Sequence, residues 1–458
     1  MIAWMALSVA MAGNEWTRCY PHNVSQEAYC RTMQVPVNHV EPSGEQLELS
    51  MVKLPAIRSD AALDPVFVLA GGPGQGASDV IAALYPALRK VHQERTLIFL
   101  DQRGTGESGA LQCDLPETNT SDIPLEELAA CRTAMTVDAQ WYQSNHLADD
   151  TNWVRQKLGY EQINLYGVSY GTRLAMTIMR RHPDSIRSAV LDGVAPFQTP
   201  IGGDFGATAR QMLEQVLTDC EADDRCGTAF PELRAEYASI VERLNDPQTI
   251  EHPHPRTGKP TETVVDVEVF WGALQQLLYN GQTAAMIPYA IHQIATQNDW
   301  SPILGWMDNS PFSDIPIGLY LSIICAEDAT QIDYSMRPAN GLGVQTTTQL
   351  QEMCGVWNTT SVGLDFFEPL QSDIPTLLLS GTLDPVTPAS NGDLAMQTLG
   401  NSKHLVASGT AHNTIQQPCV YNLVRDFMQS TDVQSLDDSC TTEPKRPAFI
   451  LSATGTAP

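Results

Sequence analysis

Apolar positions fall in short runs whose period changes along the chain. Pro65 to Ala70 is a nearly continuous apolar run followed at once by Gly71-Gly72-Pro73-Gly74. Thr96 to Leu100 is a second such run, closed by Asp101-Gln102-Arg103-Gly104. Runs of this length, apolar throughout rather than alternating, predict strands buried on both faces. Asp149 to Leu158 reads as a helix, Ile163 to Tyr166 as a strand, and Ile186 to Leu191 as another strand. Between the last two, Leu174, Met176, Ile178 and Met179 recur at helical spacing, which predicts a helix over Tyr170 to Arg181. Ahead of all these, Gln34 to Val37 and Leu47 to Val52 read as short strands with turns. Strand alternating with helix builds a mostly parallel sheet with helices on both faces.

The alternation stops near Phe197 and resumes at Thr376 to Ser380. A helix near Ser390 to Leu399, a strand at His404 to Val406 and a helix over Val420 to Met428 follow. The stretch 197–372 is mostly helical, broken at His252-Pro253-His254-Pro255 and at Pro311 to Pro316. It reads as an inserted helical cap over the carboxyl edge of the sheet, where open α/β sheets bind ligands. The expected organisation is therefore a leader over 1–12, the first half of the core over 13–196, the cap over 197–372 and the second half over 373–458.

Composition sharpens this picture. Of 458 residues, 43% are apolar and 17% charged, as in a globular chain. The formal net charge of −27 disfavours nucleic acid and anionic membrane surfaces as partners. Ten cysteines fall into five neighbouring couples: Cys19/Cys30, Cys113/Cys131, Cys220/Cys226, Cys325/Cys354 and Cys419/Cys440. An even count arranged so suggests disulfides and an oxidising compartment. Sequence does not prove connectivity, and nearest-neighbour pairing is the working expectation against buried free thiols. Ile2 to Ala12 is uncharged, mostly apolar and ends Ala10-Met11-Ala12, a pattern that signal peptidase cuts after. No Lys or Arg precedes it, which departs from a standard leader. The expected location is periplasmic or extracellular, with no stable membrane insertion.

Gly167-Val168-Ser169-Tyr170-Gly171 lies between a predicted strand and a predicted helix. In that context G-x-S-x-G makes a tight turn that lifts a serine hydroxyl off the sheet edge. A hydroxyl needs a base, and the base an orienting carboxylate. At such a turn the chain order is serine, acid, histidine. Asp384, in the turn leaving the strand Thr376 to Ser380, fits the acid, and His412, in Gly409-Thr410-Ala411-His412-Asn413, fits the base. Asp393 and His404 are the nearest rivals, one inside a helix and the other in a strand. The backbone N–H of Tyr170 and that of Gly72 are the candidate oxyanion donors. Gly104, Gly106 and Gly109 shape a loop and lack the Lys-Ser/Thr ending of a phosphate cradle. No Cys-x-x-Cys occurs, and the proposed chemistry needs no metal or organic cofactor.

Gly71-Gly72-Pro73-Gly74-Gln75, Asp101-Gln102-Arg103-Gly104-Thr105-Gly106, Gly167 to Thr172 and Gly381 to Pro388 together resemble the proline iminopeptidase and tripeptidyl aminopeptidase branch of the α/β hydrolases. The likeness covers roughly residues 30 to 430 and includes Cys220 to Cys226 in the cap. It implies the α/β-hydrolase fold and a serine exopeptidase that acts on a free N-terminus, holding the substrate ammonium with acidic residues of the lid. Glu327, in Cys325-Ala326-Glu327-Asp328, is the expected anchor, with an ordinary helix-end carboxylate as the competing role. Two departures bear on proline specificity: Ala70 stands where these enzymes carry His, and their Glu-Asn-His-Tyr-Phe run is absent. Substrates are thus peptides or small acyl compounds. An esterase with the same triad is the second reading, and a non-catalytic binding protein the third.

Overall fold

The computed structural model describes residues 15–21, 24–115, 124–203, 205–254, 257–307, 315–334, 344–442 and 446–456. The expected leader over 1–12 lies outside them.

Eleven strands form among the described residues. They are β1 (Thr17–Cys19), β2 (Ala28–Pro36), β3 (Gln46–Leu54), β4 (Val66–Leu69), β5 (Leu97–Leu100), β6 (Ile163–Val168), β7 (Ile186–Asp192), β8 (Gln248–Pro253), β9 (Pro260–Val265), β10 (Thr376–Gly381) and β11 (Ser402–Ala407). Nine make one sheet in the order β1-β2-β3-β5-β4-β6-β7-β10-β11. From β5 to β11 every pairing is parallel, whereas β1, β2 and β3 join antiparallel at one edge. The continuous apolar runs are explained by burial on two faces. Phe67, Leu69, Ile98, Leu165 and Leu191 enter one apolar core, while Val66, Val68, Phe99, Val168 and Val190 enter the other. The first core is covered by helices Ser144–Lys157 and Tyr170–Arg181, the second by helices Ile81–His92 and Pro418–Ser430.

Chain order reverses at β4, which has β5 on one side and β6 on the other. The crevice at the carboxyl ends of β4 and β6 is thus a topological switch point. Both the Gly71-Gly72 turn and Ser169 leave the sheet there.

The stretch 197–372 feeds two cores. Helices Phe205–Ala222, Leu233–Arg243, Val267–Leu278 and Ile287–Gln297 pack with one another in a third core. Helix Ile317–Glu327 instead joins the sheet-side core through Leu319, Leu321, Ile323 and Ile324. Phe449 and Leu451, near the chain's end, reach back into the cap core. The cap also holds the antiparallel hairpin β8–β9, running into the expected break at His252 to Pro255, in a stretch read as mostly helical. Its cause is visible in period two: Ile250 and His252 are buried and Glu251 and Pro253 exposed.

All ten cysteines pair as neighbours: Cys19–Cys30, Cys113–Cys131, Cys220–Cys226, Cys325–Cys354 and Cys419–Cys440. Five disulfides mark a chain matured in an oxidising environment. Among the described residues no helix is long and apolar enough to cross a membrane. The Cys325–Cys354 bridge closes 29 residues and ties helix Ile317–Glu327 to helix Val344–Trp357. Replacing both cysteines by Ser should therefore lower stability by about 3–4 kcal/mol in chemical denaturation. An unchanged midpoint would contradict a constraining role for this bridge.

Candidate active site

Ser169 sits at φ 57°, ψ −126°, in the turn between β6 and helix Tyr170–Arg181. A non-glycine residue with positive φ is strained, by about 1–3 kcal/mol, and persists only where its surroundings over-determine it. Packing supplies that constraint. A Cβ on Gly171 would lie 2.2 Å from the Leu69 carbonyl oxygen, and one on Gly167 would lie 2.3 Å from the Gly171 oxygen. Both positions need glycine because helix, β6 and β4 meet backbone to backbone. The Ser169 N–H donates to the Asp192 carbonyl at the end of β7 (2.9 Å), which fixes the turn from the other side.

The loop after β4 runs directly over this turn. A Cβ on Gly71 would stand 3.0 Å from Ser169 Cβ, and Gly72 has φ +109°, a conformation that glycine adopts freely. Gly72, Ser169 and Tyr170 line one narrow recess. The Tyr170 N–H lies in the first helical turn, where the helix itself offers no acceptor. Asp101, at the end of β5, braces the Gly72 loop by accepting from Ser78 N–H and Ser78 Oγ, both at 2.8 Å. Burial pushes its pKa up to about 6. Arg103 of the same motif is fully buried and paired with Asp150, so it ties loops together.

His412 Nδ1 meets Asp384 Oδ2 at 2.8 Å. Asp384 also accepts from Val386 N–H (2.9 Å), Thr387 N–H (2.8 Å) and Thr387 Oγ (2.7 Å), so its buried charge is fully solvated by donors. Burial alone would raise the Asp384 pKa. The neighbouring His412 and these N–H donors outweigh it and hold the carboxyl below its ordinary range. Burial likewise opposes the His412 cation, but Asp384, and to a smaller extent Asp192, raise its pKa overall. With Asp384 as acceptor the imidazole proton belongs on Nδ1, leaving Nε2 free to take a proton. Gly193, at φ +69°, makes room for the ring, since a Cβ there would stand 2.8 Å from His412 Cε1.

Ser169 and His412 line one cavity of about 380 Å³, together with Gly72, Phe205, Leu277, Gln276 and Asn280. The cap seats on both of these loops: Leu383, next to Asp384, and Ala411, next to His412, enter the cap core. Tyr279, from the end of a cap helix, lies edge-on to His412 with ring centroids 5.5 Å apart. A wider surface groove of about 880 Å³, beside Arg180 and Gly400, has no histidine on its walls.

Glu327 is placed differently from expectation. It is fully buried, and its two oxygens accept from Ser144 N–H (2.6 Å) and Ser144 Oγ (2.8 Å). Ser144 Oγ in turn bonds the Tyr170 hydroxyl at 2.7 Å. Burial, then the Asp328 charge, push the Glu327 pKa up to about 8. It lines neither the cavity nor the recess, so it braces the Tyr170 side chain where an ammonium anchor was expected.

The rivals His404 and Asp393 form a relay of their own with Ser380. His404 Nδ1 meets Asp393 Oδ1 and Nε2 meets Ser380 Oγ, each at 2.9 Å. Ser380 is fully buried within β10 and lines neither cavity, so this relay has no room for a substrate. Thr387 and Asp192 were not singled out from sequence. Thr387 follows Asp384 by three residues, a spacing that lets an Asp cap the turn, and Asp192 ends an otherwise apolar strand. Among the described residues no cluster of three or more His, Cys, Asp or Glu could hold a metal.

Residues 64–219 match the α/β hydrolase fold family, and residues 339–440 match the TAP-like protein family. Serine protease Hip1 of Mycobacterium tuberculosis is 23% identical, over 90% of this chain and 88% of that protein. Carboxylesterase B of the same species is 25% identical, over 85% and 81%. A probable proline iminopeptidase of Streptomyces coelicolor is 33% identical over 39% of this chain and 47% of that protein. The sheet order, the strand-to-helix turn and these matches define an enzyme of the α/β-hydrolase class. Within that class, its likeness is to the TAP-like branch, carried by residues 339–440.

The backbone packing at the elbow is open to a direct check. Gly171→Ala forces a methyl against the Leu69 carbonyl, and soluble yield or thermal midpoint should fall sharply. Wild-type melting in that variant would contradict the geometry.

Proposed function

We propose that this protein is an exported serine peptidase that works through an acyl-enzyme. The observation that carries the proposal is the buried Asp384–His412 pair, set on the same capped cavity as a serine held at a strained strand-to-helix turn. His412 Nε2 takes the Ser169 proton, and Oγ attacks the scissile carbonyl. The N–H groups of Gly72 and Tyr170 receive the negative charge that develops on the carbonyl oxygen. Asp384 keeps the proton on Nδ1 and stabilises the imidazolium; His412 then protonates the leaving amine, and water releases the acyl group. Every step uses side chains and backbone of this chain, with no cofactor in the scheme.

Two named relatives, a serine protease and a proline iminopeptidase, support a peptide substrate. Cleavage from a free N-terminus is the form of this activity that the branch implies. Its ammonium is not held by Glu327. The relative named carboxylesterase B supports the second reading, ester hydrolysis by the same three residues. The five disulfides support a periplasmic or extracellular site of action.

Ser169→Ala should lower kcat by about three orders of magnitude or more on any substrate. Ser380→Ala, which breaks the enclosed relay, should leave kcat/KM within about twofold. The reverse pattern would move the nucleophile to Ser380 and sink the proposal. Matched chromogenic peptides with free and acetylated N-termini separate the two readings. The peptidase should lose most of its rate on the acetylated form, whereas equal rates on both would favour the esterase.

A further inference from the structure

Asp192 is fully buried, carries no part of the proton relay, and touches both halves of it. Its carbonyl accepts the Ser169 N–H at 2.9 Å. Its carboxylate accepts Thr414 N–H (2.9 Å) and Ile415 N–H (3.0 Å), two and three residues beyond His412, and the Tyr166 hydroxyl (2.9 Å). Two of the three partners are backbone N–H groups that can only donate; burial raises the Asp192 pKa, and these donors, the Tyr166 hydroxyl and His412 oppose that rise in favour of the charged form. The next residue is Gly193, whose missing side chain admits the imidazole. One residue at the end of β7 therefore reaches the nucleophile through its backbone and the base's loop through its side chain.

We propose that Asp192 is a positioning residue, which holds the His412 loop in register with Ser169. The inference rests on His412 being the base. The groups that act on that imidazole can be named element by element. Asp384 and Thr387 come from the loop after β10, Asp192 from β7, and Tyr279 from the cap. Burial raises the Tyr279 pKa and keeps its phenol neutral. Asp384 and Asp192 are thus the two negative charges that raise the His412 pKa. The acid limb of kcat/KM, which follows the free enzyme's base, should then lie above the ordinary imidazole value of about 6.5.

Asp192→Asn preserves shape, removes the charge and turns one acceptor into a donor. In the full-length protein the acid limb should move down by about one pH unit. At the same time kcat should fall about 10- to 100-fold through misplacement of the base, with KM changed by less than about threefold. A purely structural Asp192 would lower the melting temperature and leave the limb in place; that result overturns the proposal. Imidazole titration by NMR, in a Ser169→Ala background, reads the same shift without activity. Should Ser169→Ala retain activity, the catalytic reading itself fails, and the NMR titration still decides the role of Asp192. Should Asp192→Asn not fold, hydrogen exchange in the unmodified chain decides: strongly protected Thr414 and Ile415 amides support the clamp, and exchange at exposed-loop rates removes it.

Discussion

The close approach of three backbones at Gly167, Gly171 and Leu69 is the constraint on which the site depends. Helix Tyr170–Arg181 cannot start so near the sheet unless side chains are absent at both glycines. Once it does, Ser169 is driven to positive φ and its side chain is set at the carboxyl edge of the sheet. The same approach brings the Gly71-Gly72 turn against Ser169 and leaves the first helical N–H beside it. The strain is small against the two apolar cores that press helix and sheet together, and strands buried on both faces supply those cores.

Charge inside the molecule follows different rules from charge outside it. The net charge of −27 is a surface property of solubility and association. Around the site, by contrast, Asp384, Asp192, Asp101 and Glu327 are buried, and each carboxylate accepts several hydrogen bonds. Outside the Asp384 turn, whose N–H bonds are local, these bonds tie separate elements together. Asp101 joins the loops after β4 and β5, Asp192 joins β7 to the His412 loop, and Glu327 joins helix Ile317–Glu327 to Ser144. Only at Asp384 do the donors and the neighbouring His412 outweigh burial and hold the pKa below its ordinary range; at Glu327 burial prevails, and the bonds join elements through a largely neutral acid.

Relay geometry is not sufficient for a site. Ser380, His404 and Asp393 satisfy the same distances as a hydrolytic triad, yet their serine is enclosed in β10. What distinguishes Ser169 is access: a cavity at the residue, backbone N–H groups beside it, and a cap resting on the loops of Asp384 and His412. Leu383 and Ala411, packed into the cap core, make the cap part of the apparatus that holds Asp384 and His412.

Much of this was legible in order along the chain. Mostly apolar runs followed by turns give the strands β4 to β7 and β10, because a strand buried on both faces leaves few polar positions. The G-x-S-x-G motif, the Asp384 turn and the His412 loop are local patterns, and the neighbouring cysteines pair locally too. The hairpin β8–β9 was missed, although the alternation around Ile250 carries its signal. The enclosed place of Glu327, the reach of Asp192 from one strand end to a loop 222 residues away, and the division of the stretch 197–372 between two cores were not legible. Those are matters of which surfaces meet across the fold. A carboxylate at a helix end reads the same in sequence whether it faces a cavity or a buried serine, and only the packing of distant elements decides between them.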